Sequence, residues 1–507
     1  MEPARFELPD AQRIAALVEA CSSGSAAFAA ALRGGTSPAE TLARLGLVLC
    51  REGRAVDAVE VLRGAVALEP ANSLFWMNLA VALDRTGSPA DAAGCLERAL
   101  SIREQADAWL LLGTLRCKVS DLAGAEAAYR AALRLDAESP LAWQCLGLVK
   151  QEQGQLAAAI DCFSACVARG GRTAGLLANL GKLYFQAGRV AEAAEAYAGA
   201  VELDEGNANY QQMLRRAGFL RDVMDGRPAD EALAAYQRSL PADAPEAEAD
   251  PNAMLQGAFK TLTAFGHLDA AARVGRKWRE LAPGSAAADY LLTAVTGGAG
   301  VERSPAEYIV EYFDGFAEDF DGKLVKSLRY DLPAKLCASL QSVAGPGHCF
   351  DTLDAGCGTG LCGPLLRPIS RQLLGVDLSA KMLEQARRRG VYDALFCEEL
   401  IAFLQGSLGR FDLVVAADVL IYFGDLRPVC AAVREALRPG GLLAFSTESA
   451  AGERYRLQKS GRFAHSLAYV RSTLAAAFEE RAWAETTIRE EAMQPVRGNY
   501  FVLRRRI

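Results

Sequence analysis

Residues 353–360 read LDAGCGTG, an apolar run that breaks into glycines at every second position. Gly356, Gly358 and Gly360 leave a turn without Cβ atoms, so a ligand can come close to the backbone. The pattern predicts a strand, a sharp turn and then a helix whose free N–H groups face an anionic ligand group. Further on, LLGVDLS (373–379) places Asp377 after a second apolar run. An acid at the tip of the second strand is where an open α/β sheet holds a ribose. Glycine loop and acid together predict a site for an adenosine-containing cofactor.

In the same loop, Gly358-Thr359-Gly360-Leu361-Cys362-Gly363 fits G-x-G-x-x-G, the dinucleotide fingerprint. An NAD(P)-dependent oxidoreductase is therefore one alternative. Asp354 counts against it, because an acid before the first glycine would face a pyrophosphate. A dinucleotide also needs a second mononucleotide half, and the C-terminal part holds no second glycine loop of this kind.

Two downstream segments, FDLVVAADVLIYF (411–423) and LRPGGLLAFSTE (437–448), point elsewhere. With LDAGCGTG and VDLS, the chain from near Ser304 to its C-terminus resembles the class I S-adenosylmethionine-dependent methyltransferases, in that family's order. It looks most like the small-molecule type, which its entry helix, FDGFAEDFDGKLVKSLRYDLP (313–333), also resembles. The resemblance implies a Rossmann-like α/β domain with a mostly parallel sheet and S-adenosyl-L-methionine as cofactor. Asp354, Gly356, Gly358 and Gly360 would cradle the methionine end, and Asp377 would accept hydrogen bonds from both ribose hydroxyls. Leu378 and Met382 would pack on the adenine. Glu399, or else Glu398, would receive the adenine amino group where the family usually has Asp. Asp418 would end the fourth strand, facing the methyl group and the acceptor, with Tyr422 one helical turn further.

Such chemistry asks little of side chains. Methyl transfer from a sulfonium is an in-line displacement, and alignment alone can supply roughly 7–11 kcal/mol. A base is needed only for an acceptor that carries a proton at neutral pH. The candidates are Asp418, Tyr422 and His465, and Arg462 beside the last could pair with an acidic substrate. Ser304-Pro305-Ala306-Glu307 has the form of a capping box. It predicts a helix carrying Tyr308, Tyr312, Phe316 and Phe320, aromatics able to close over a cationic cofactor or to form a core stripe.

These residues need a scaffold, and the sequence divides into two kinds. The N-terminal part is rich in Ala and Leu, with a period of about 34 residues. The units are marked by Leu45-Gly46, Leu79-Ala80, Leu112-Gly113, Leu146-Gly147 and Leu180-Gly181. Each is followed by a second small residue and a Leu, Tyr or Phe. This is the tetratricopeptide repeat pattern, helix pairs that stack into a superhelix because none buries its apolar face alone. We expect a helical cap over 1–38, a repeat array of about seven pairs over 39–298, the last ones degenerate, and the methyltransferase-like domain over 299–507. Residues 207–240 read as a degenerate repeat, 241–251 as an exposed loop and 252–295 as one more pair. The segments 485–491 and 498–506 read as strands of a C-terminal hairpin. The repeats imply a protein or peptide in their groove, where Asn78, Asn179 and Lys182 stand, or self-association.

Composition narrows the rest. The formal net charge is −7, and neither part offers the basic footprint that nucleic acid requires. There is no Asn/Asp-Pro-Pro-Tyr/Phe sequence at the fourth strand, which demotes exocyclic amines and glutamine amides as acceptors. No apolar run approaches the ~20 residues of a membrane span, and the N-terminal residues have no secretory h-region. The 13 cysteines are scattered, without Cys-x-x-Cys or a histidine cluster, so we expect no metal and a reducing cytoplasm. The expected function is methyl transfer to a small-molecule or protein acceptor. An interaction scaffold with an inactive, cofactor-binding domain is the other alternative.

Overall fold

The computed structural model describes residues 19, 37–297, 300–315, 317, 321–322, 330–345, 347–491 and 494–507. The expected helical cap therefore falls almost wholly outside the described residues, as do Phe316 and Phe320. The chain forms two compact units that divide between Arg221 and Asp222.

In the first unit, helices alternate along the chain. Pro38–Arg51, Ser73–Arg85, Ala106–Lys118, Pro140–Glu152 and Ala174–Gln186 each precede a partner, the partners being Ala55–Leu68, Pro89–Ile102, Leu122–Leu135, Leu156–Ala168 and Val190–Leu203. Several start on side-chain caps, such as Thr173 accepting from the Leu176 N–H and Asp121 from Gly124. The repeated glycine sets the approach within a pair. A Cβ built on Gly113 would lie 2.5 Å from the Tyr129 ring, and the same relation links Gly147 to Phe163 and Gly181 to Tyr197. Gly113→Ala is therefore expected to cost about 1–3 kcal/mol by overpacking. Gly218→Ala is the control, because a Cβ there meets nothing within 4 Å. It should gain up to about 1 kcal/mol from helix propensity. Urea midpoints of the two variants read the difference, and equal midpoints would remove this account of the repeat.

Asn179, expected to face a ligand, donates from Nδ2 to Gln151 Oε1 at 2.9 Å. Together with Leu148 and Phe163 the two residues line a cavity of about 600 Å³. Lys182 is exposed and Asn78 half-buried.

The second unit begins with more helices. The stretch expected to hold one pair forms three, Pro251–Ala264, Leu268–Leu281 and Ala286–Thr296. The expected loop over 241–251 carries a short helix, Glu246–Ala249. These helices belong to the same compact unit as the α/β domain.

Among the described residues the α/β domain is built on nine strands: β1 Phe350–Ala355, β2 Ser370–Asp377, β3 Ala394–Cys397, β4 Phe411–Ala416, β5 Leu437–Ser449, β6 Tyr455–Leu457, β7 Phe463–His465, β8 Phe478–Glu491 and β9 Gln494–Arg505. The order is β3-β2-β1-β4-β5-β7-β6, and β9 pairs with β5 and β8. β1 to β5 run parallel, whereas β9 is antiparallel to both neighbours, which bears out the C-terminal hairpin. The central strands are apolar on both faces because both are covered. Leu353, Val414, Phe445 and Phe501 form one core layer, and Leu336, Leu373, Leu413 and Val502 the other. Among the described residues no helix is long and apolar enough to cross a membrane.

The helix expected after the glycine loop is only Gly363–Leu366, followed by a 3₁₀ turn Arg367–Ile369. Pro368 lacks the N–H a continuing helix would use and crowds the preceding turn. The helix-end contribution to ligand binding is correspondingly small, and the loop itself must do the holding.

Candidate cofactor and acceptor site

β1 runs between β2 and β4, where the order of the sheet reverses, and ligands of open α/β sheets bind beyond the strand ends at such a point. The register sets Asp354 opposite Gly375 on one side and Val415 on the other. Asp354, Asp377 and Asp418 thus reach the same edge, around one cavity of about 440 Å³. That volume lies within the ~300–1,000 Å³ of small-molecule sites.

Of the expected cofactor residues, Asp354, Gly356, Gly358, Asp377, Leu378, Met382, Glu399 and Asp418 line this cavity, and Tyr422 joins them. Gly360 does not. The three glycines turn out to serve different ends. All have positive φ. A Cβ on Gly356 would sit 2.5 Å from Val419, and one on Gly360 would sit 2.9 Å from Tyr392. A Cβ on Gly358 would meet nothing within 4 Å, so this glycine leaves the open face.

Asp377 braces that turn. Its Oδ2 accepts from the Gly358 N–H at 2.9 Å and its Oδ1 from the Ser379 N–H at 2.9 Å. Burial raises its pKa, against those backbone donors. Asp354 is 2 % exposed and accepts from the Tyr392 hydroxyl at 2.6 Å. Burial pushes its carboxyl up to about 7, with the Asp377 charge adding to the rise and the Tyr392 bond opposing it. Glu399 caps the helix Leu400–Gln405 through the Ala402 N–H and lies 3.4 Å from Arg303, and Glu398 lines the cavity beside it.

The cavity wall around Asp418 is built by residues far apart in sequence. Asp418 follows β4 with φ +59°, held by its N–H donating to Ser446 Oγ at 2.9 Å. Both of its carboxylate oxygens are 3.1 Å from one nitrogen of Arg489, whose other terminal nitrogen bonds Glu448. Arg489 is 2 % exposed and lines the cavity. Sequence reasoning missed it, the only available signal being a charge within a strand-like stretch. Tyr330 also lines the cavity, and burial raises its phenol well above the ordinary range. The Tyr422 phenol is likewise raised by burial, and Arg462 opposes this through charge and a hydrogen bond.

His465 does not line this cavity. Its Nε2 lies 2.8 Å from the Phe423 carbonyl and 3.2 Å from that of Gly424, so Nε2 carries a hydrogen and ties β7 to the turn after Tyr422. The cause is β7 itself, which pairs with the end of β5 and is buried along its length. Burial lowers the His465 pKa to about 4. The unfolded chain, at about 6.5, takes up the proton first, so this residue's contribution to stability is present above pH 6.5 and is lost as pH falls toward 4. The loss should approach about 1.4 kcal/mol per pH unit in that window. Urea unfolding at pH 7 and pH 5 should show a shallower acid dependence in His465→Gln, and parallel slopes would contradict the assignment.

The helix Ala306–Asp314 covers one side. Tyr312 and Phe313 line the cavity, and Phe313 stands edge-on to Tyr422 at 5.8 Å. Tyr308 does not reach the cavity, being 4 % exposed against Tyr290. Asp314 accepts from Ser379 Oγ at 2.5 Å and Asp321 from Thr359 Oγ1 at 2.5 Å, which ties this segment to the loops after β2 and β1. The expected capping box does not form. Pro305 takes the N-cap position without a side-chain bond, and Ser304 directs its hydroxyl to Tyr290.

Residues 353–443 match the family profile of a methyltransferase domain, and residues 49–115 and 146–208 match profiles of tetratricopeptide repeats. Human methyltransferase-like protein 27 is 37% identical over 145 residues, covering 28% of this chain and 58% of the relative. The ubiquinone biosynthesis O-methyltransferase of Bordetella avium strain 197N is 30% identical over 115 residues, covering 21% and 46%. The chain thus spans about half the length of the curated relatives it matches. The solved N-methyltransferase NodS from Bradyrhizobium japonicum WM9, in complex with S-adenosyl-L-homocysteine, is 19% identical, with a TM-score of 0.32 over 39% of this chain and 98% of that one. The protein joins an N-terminal tetratricopeptide-repeat region to a C-terminal α/β methyltransferase domain.

Proposed function

We propose that the α/β domain transfers the methyl group of S-adenosylmethionine to an acceptor held near Asp418, Tyr422 and Arg462. The repeats would recruit the protein that is, or carries, this acceptor. The observation that carries the reading is the pair of acids around the open side of Gly358. Asp354 and Asp377 suit a ligand with a cationic amino-acid end and a ribose, and they oppose a pyrophosphate. The antiparallel β9 beside β5 also departs from a dinucleotide fold, where the next strand is parallel.

When bound, the cofactor supplies a methyl group already activated on sulfonium. The chain's own residues then orient and exclude water. Asp377 would hold the ribose, Leu378 and Met382 the adenine, and Glu399 or Glu398 its amino group. Asp354 would face the amino-acid end. Asp418 is committed to Arg489, and the described lining includes no histidine. This favours catalysis by alignment, worth roughly 7–11 kcal/mol, on an acceptor that is already nucleophilic at neutral pH. The same commitment of Asp418 is what a scaffold with a bound but unused cofactor would show, and that is the second reading.

Calorimetric titration with S-adenosylmethionine, S-adenosylhomocysteine and NAD(H) tests the proposal. Micromolar binding of the first two and silence from NAD(H) is expected, and binding of NAD(H) alone would overturn it. The pH dependence is a finer check. Asp354 loses its proton near pH 7, and an ammonium beside it favours the carboxylate. Affinity for S-adenosylmethionine should rise from pH 6 to pH 8, by at most about tenfold per unit, and go flat in Asp354→Asn.

A further inference from the structure

The helix Ala286–Thr296 follows the repeat-like helices in sequence, yet its Tyr290 reaches the wall of the methyl-transfer cavity. The ring is 4 % exposed and packs against the Tyr308 ring, tilted at 44° with centroids 4.9 Å apart. Its hydroxyl donates to the Gly461 carbonyl at 2.8 Å and so accepts from Ser304 Oγ, also at 2.8 Å. Both partners adjoin the cavity. Ser304 lines it, and its N–H donates to the Tyr422 carbonyl at 2.9 Å. Gly461 precedes Arg462, which lines the cavity and hydrogen-bonds Tyr422. A Cβ on Gly461 would lie 2.9 Å from Leu291 and 3.0 Å from the Tyr308 hydroxyl, so this loop is pressed onto the helix. Two helices earlier, in Pro251–Ala264, Gln256 donates to Glu311 at 3.1 Å and Lys260 sits 5.6 Å over the Tyr312 ring.

We propose that Tyr290 is a positioning residue of the methyl-transfer site, through which the last repeat-like helices set the place of Ser304, Arg462 and Tyr422. A single hydroxyl joins two separate segments of the wall, so its loss uncouples them from the helix and from each other. The inference rests on the reading of the cavity as a methyl-transfer site. Because coupling between two places is reciprocal, a ligand that orders the cavity must also steady the helix, and a partner that grips the helix must alter the cavity.

The test uses the full chain, with S-adenosylhomocysteine as the probe and hydrogen exchange of peptides as the readout. In the native chain, saturation with the probe should slow exchange across 286–296. Tyr290→Phe keeps the ring and its packing and removes only the bonds. It should bind the probe within about threefold of the native chain, exchange about fivefold faster across 456–464, and lose the probe-dependent protection of 286–296. Ser304→Ala cuts the same link from the other end and should reproduce the loss. A merely structural role would loosen the helix equally with and without the probe. Heat of binding without added protection in the native chain, or protection retained in both variants, overturns the proposal. No heat of binding in the native chain would instead overturn the methyl-transfer reading, and this inference with it.

Discussion

Asp377→Ala is expected to bind S-adenosylmethionine at least about 100-fold more weakly than the native chain, with its fold retained. Two contributions add. A carboxylate accepting from two ribose hydroxyls makes two charge-assisted hydrogen bonds, each worth about 1.5–3 kcal/mol. The same carboxylate accepts from the N–H groups of Gly358 and Ser379, so its removal also frees the turn that forms the open face. Stability should fall little, because burial already disfavours this charge and the nearby Asp314 disfavours it further. Asp377→Asn keeps an acceptor without the charge and should fall between the two. Titration calorimetry at constant pH measures the effect. Unchanged affinity in the alanine variant would mean that the cofactor does not use this acid, and the ribose assignment would fail.

Arg489→Met is expected to destabilise the C-terminal unit by about 3–5 kcal/mol, the usual cost of breaking a buried ion pair from one side. Arg489 is 2 % exposed between Asp418 and Glu448, and Glu448 is itself 3 % exposed. Without the guanidinium, Glu448 is left as a buried carboxylate without its ion-pair partner, and Asp418 loses its partner at the cavity wall. Melting should move by on the order of 10 °C for a unit of this size. The triple variant Arg489→Met, Asp418→Asn, Glu448→Gln removes the charges together and should recover most of the loss. If the single variant melts within about 2 °C of the native chain, the ion pair is not a structural element, and Asp418 would again be available as a base.

The two experiments probe different parts of the cavity lining. The cofactor end was largely legible in the sequence because its demands are local. A turn at positive φ asks for glycine, and an acid one strand further on must stand at the same edge once the strands pair in parallel. The acceptor end was not. Asp418 was expected to face the methyl group and the acceptor, but its carboxylate is paired with Arg489, 71 residues further on, brought there by the antiparallel return of β8 and β9. His465 sits in a polar stretch of sequence that the β6–β7 hairpin folds inward, so a candidate base becomes a buried neutral ring. Ser304 has the sequence of a helix cap, but Tyr290 offered its hydroxyl a better-placed partner.

The sequence by itself determined the repeat pairing, the strand and the sharp glycine turn after it, and the acids at the sheet edge. Each of these follows from periodicity or from backbone geometry within a few dozen residues. Gly113 beneath Tyr129 and Asp377 beneath Gly358 are of this kind. Only the tertiary structure decided which charges neutralise each other and which helices wall the cavity. The Tyr290 bond to Gly461 spans 171 residues and joins a repeat-like helix to a loop of the α/β domain. Contacts of that range depend on how whole elements dock, and docking is governed by the summed burial of apolar faces, which no single residue pattern encodes.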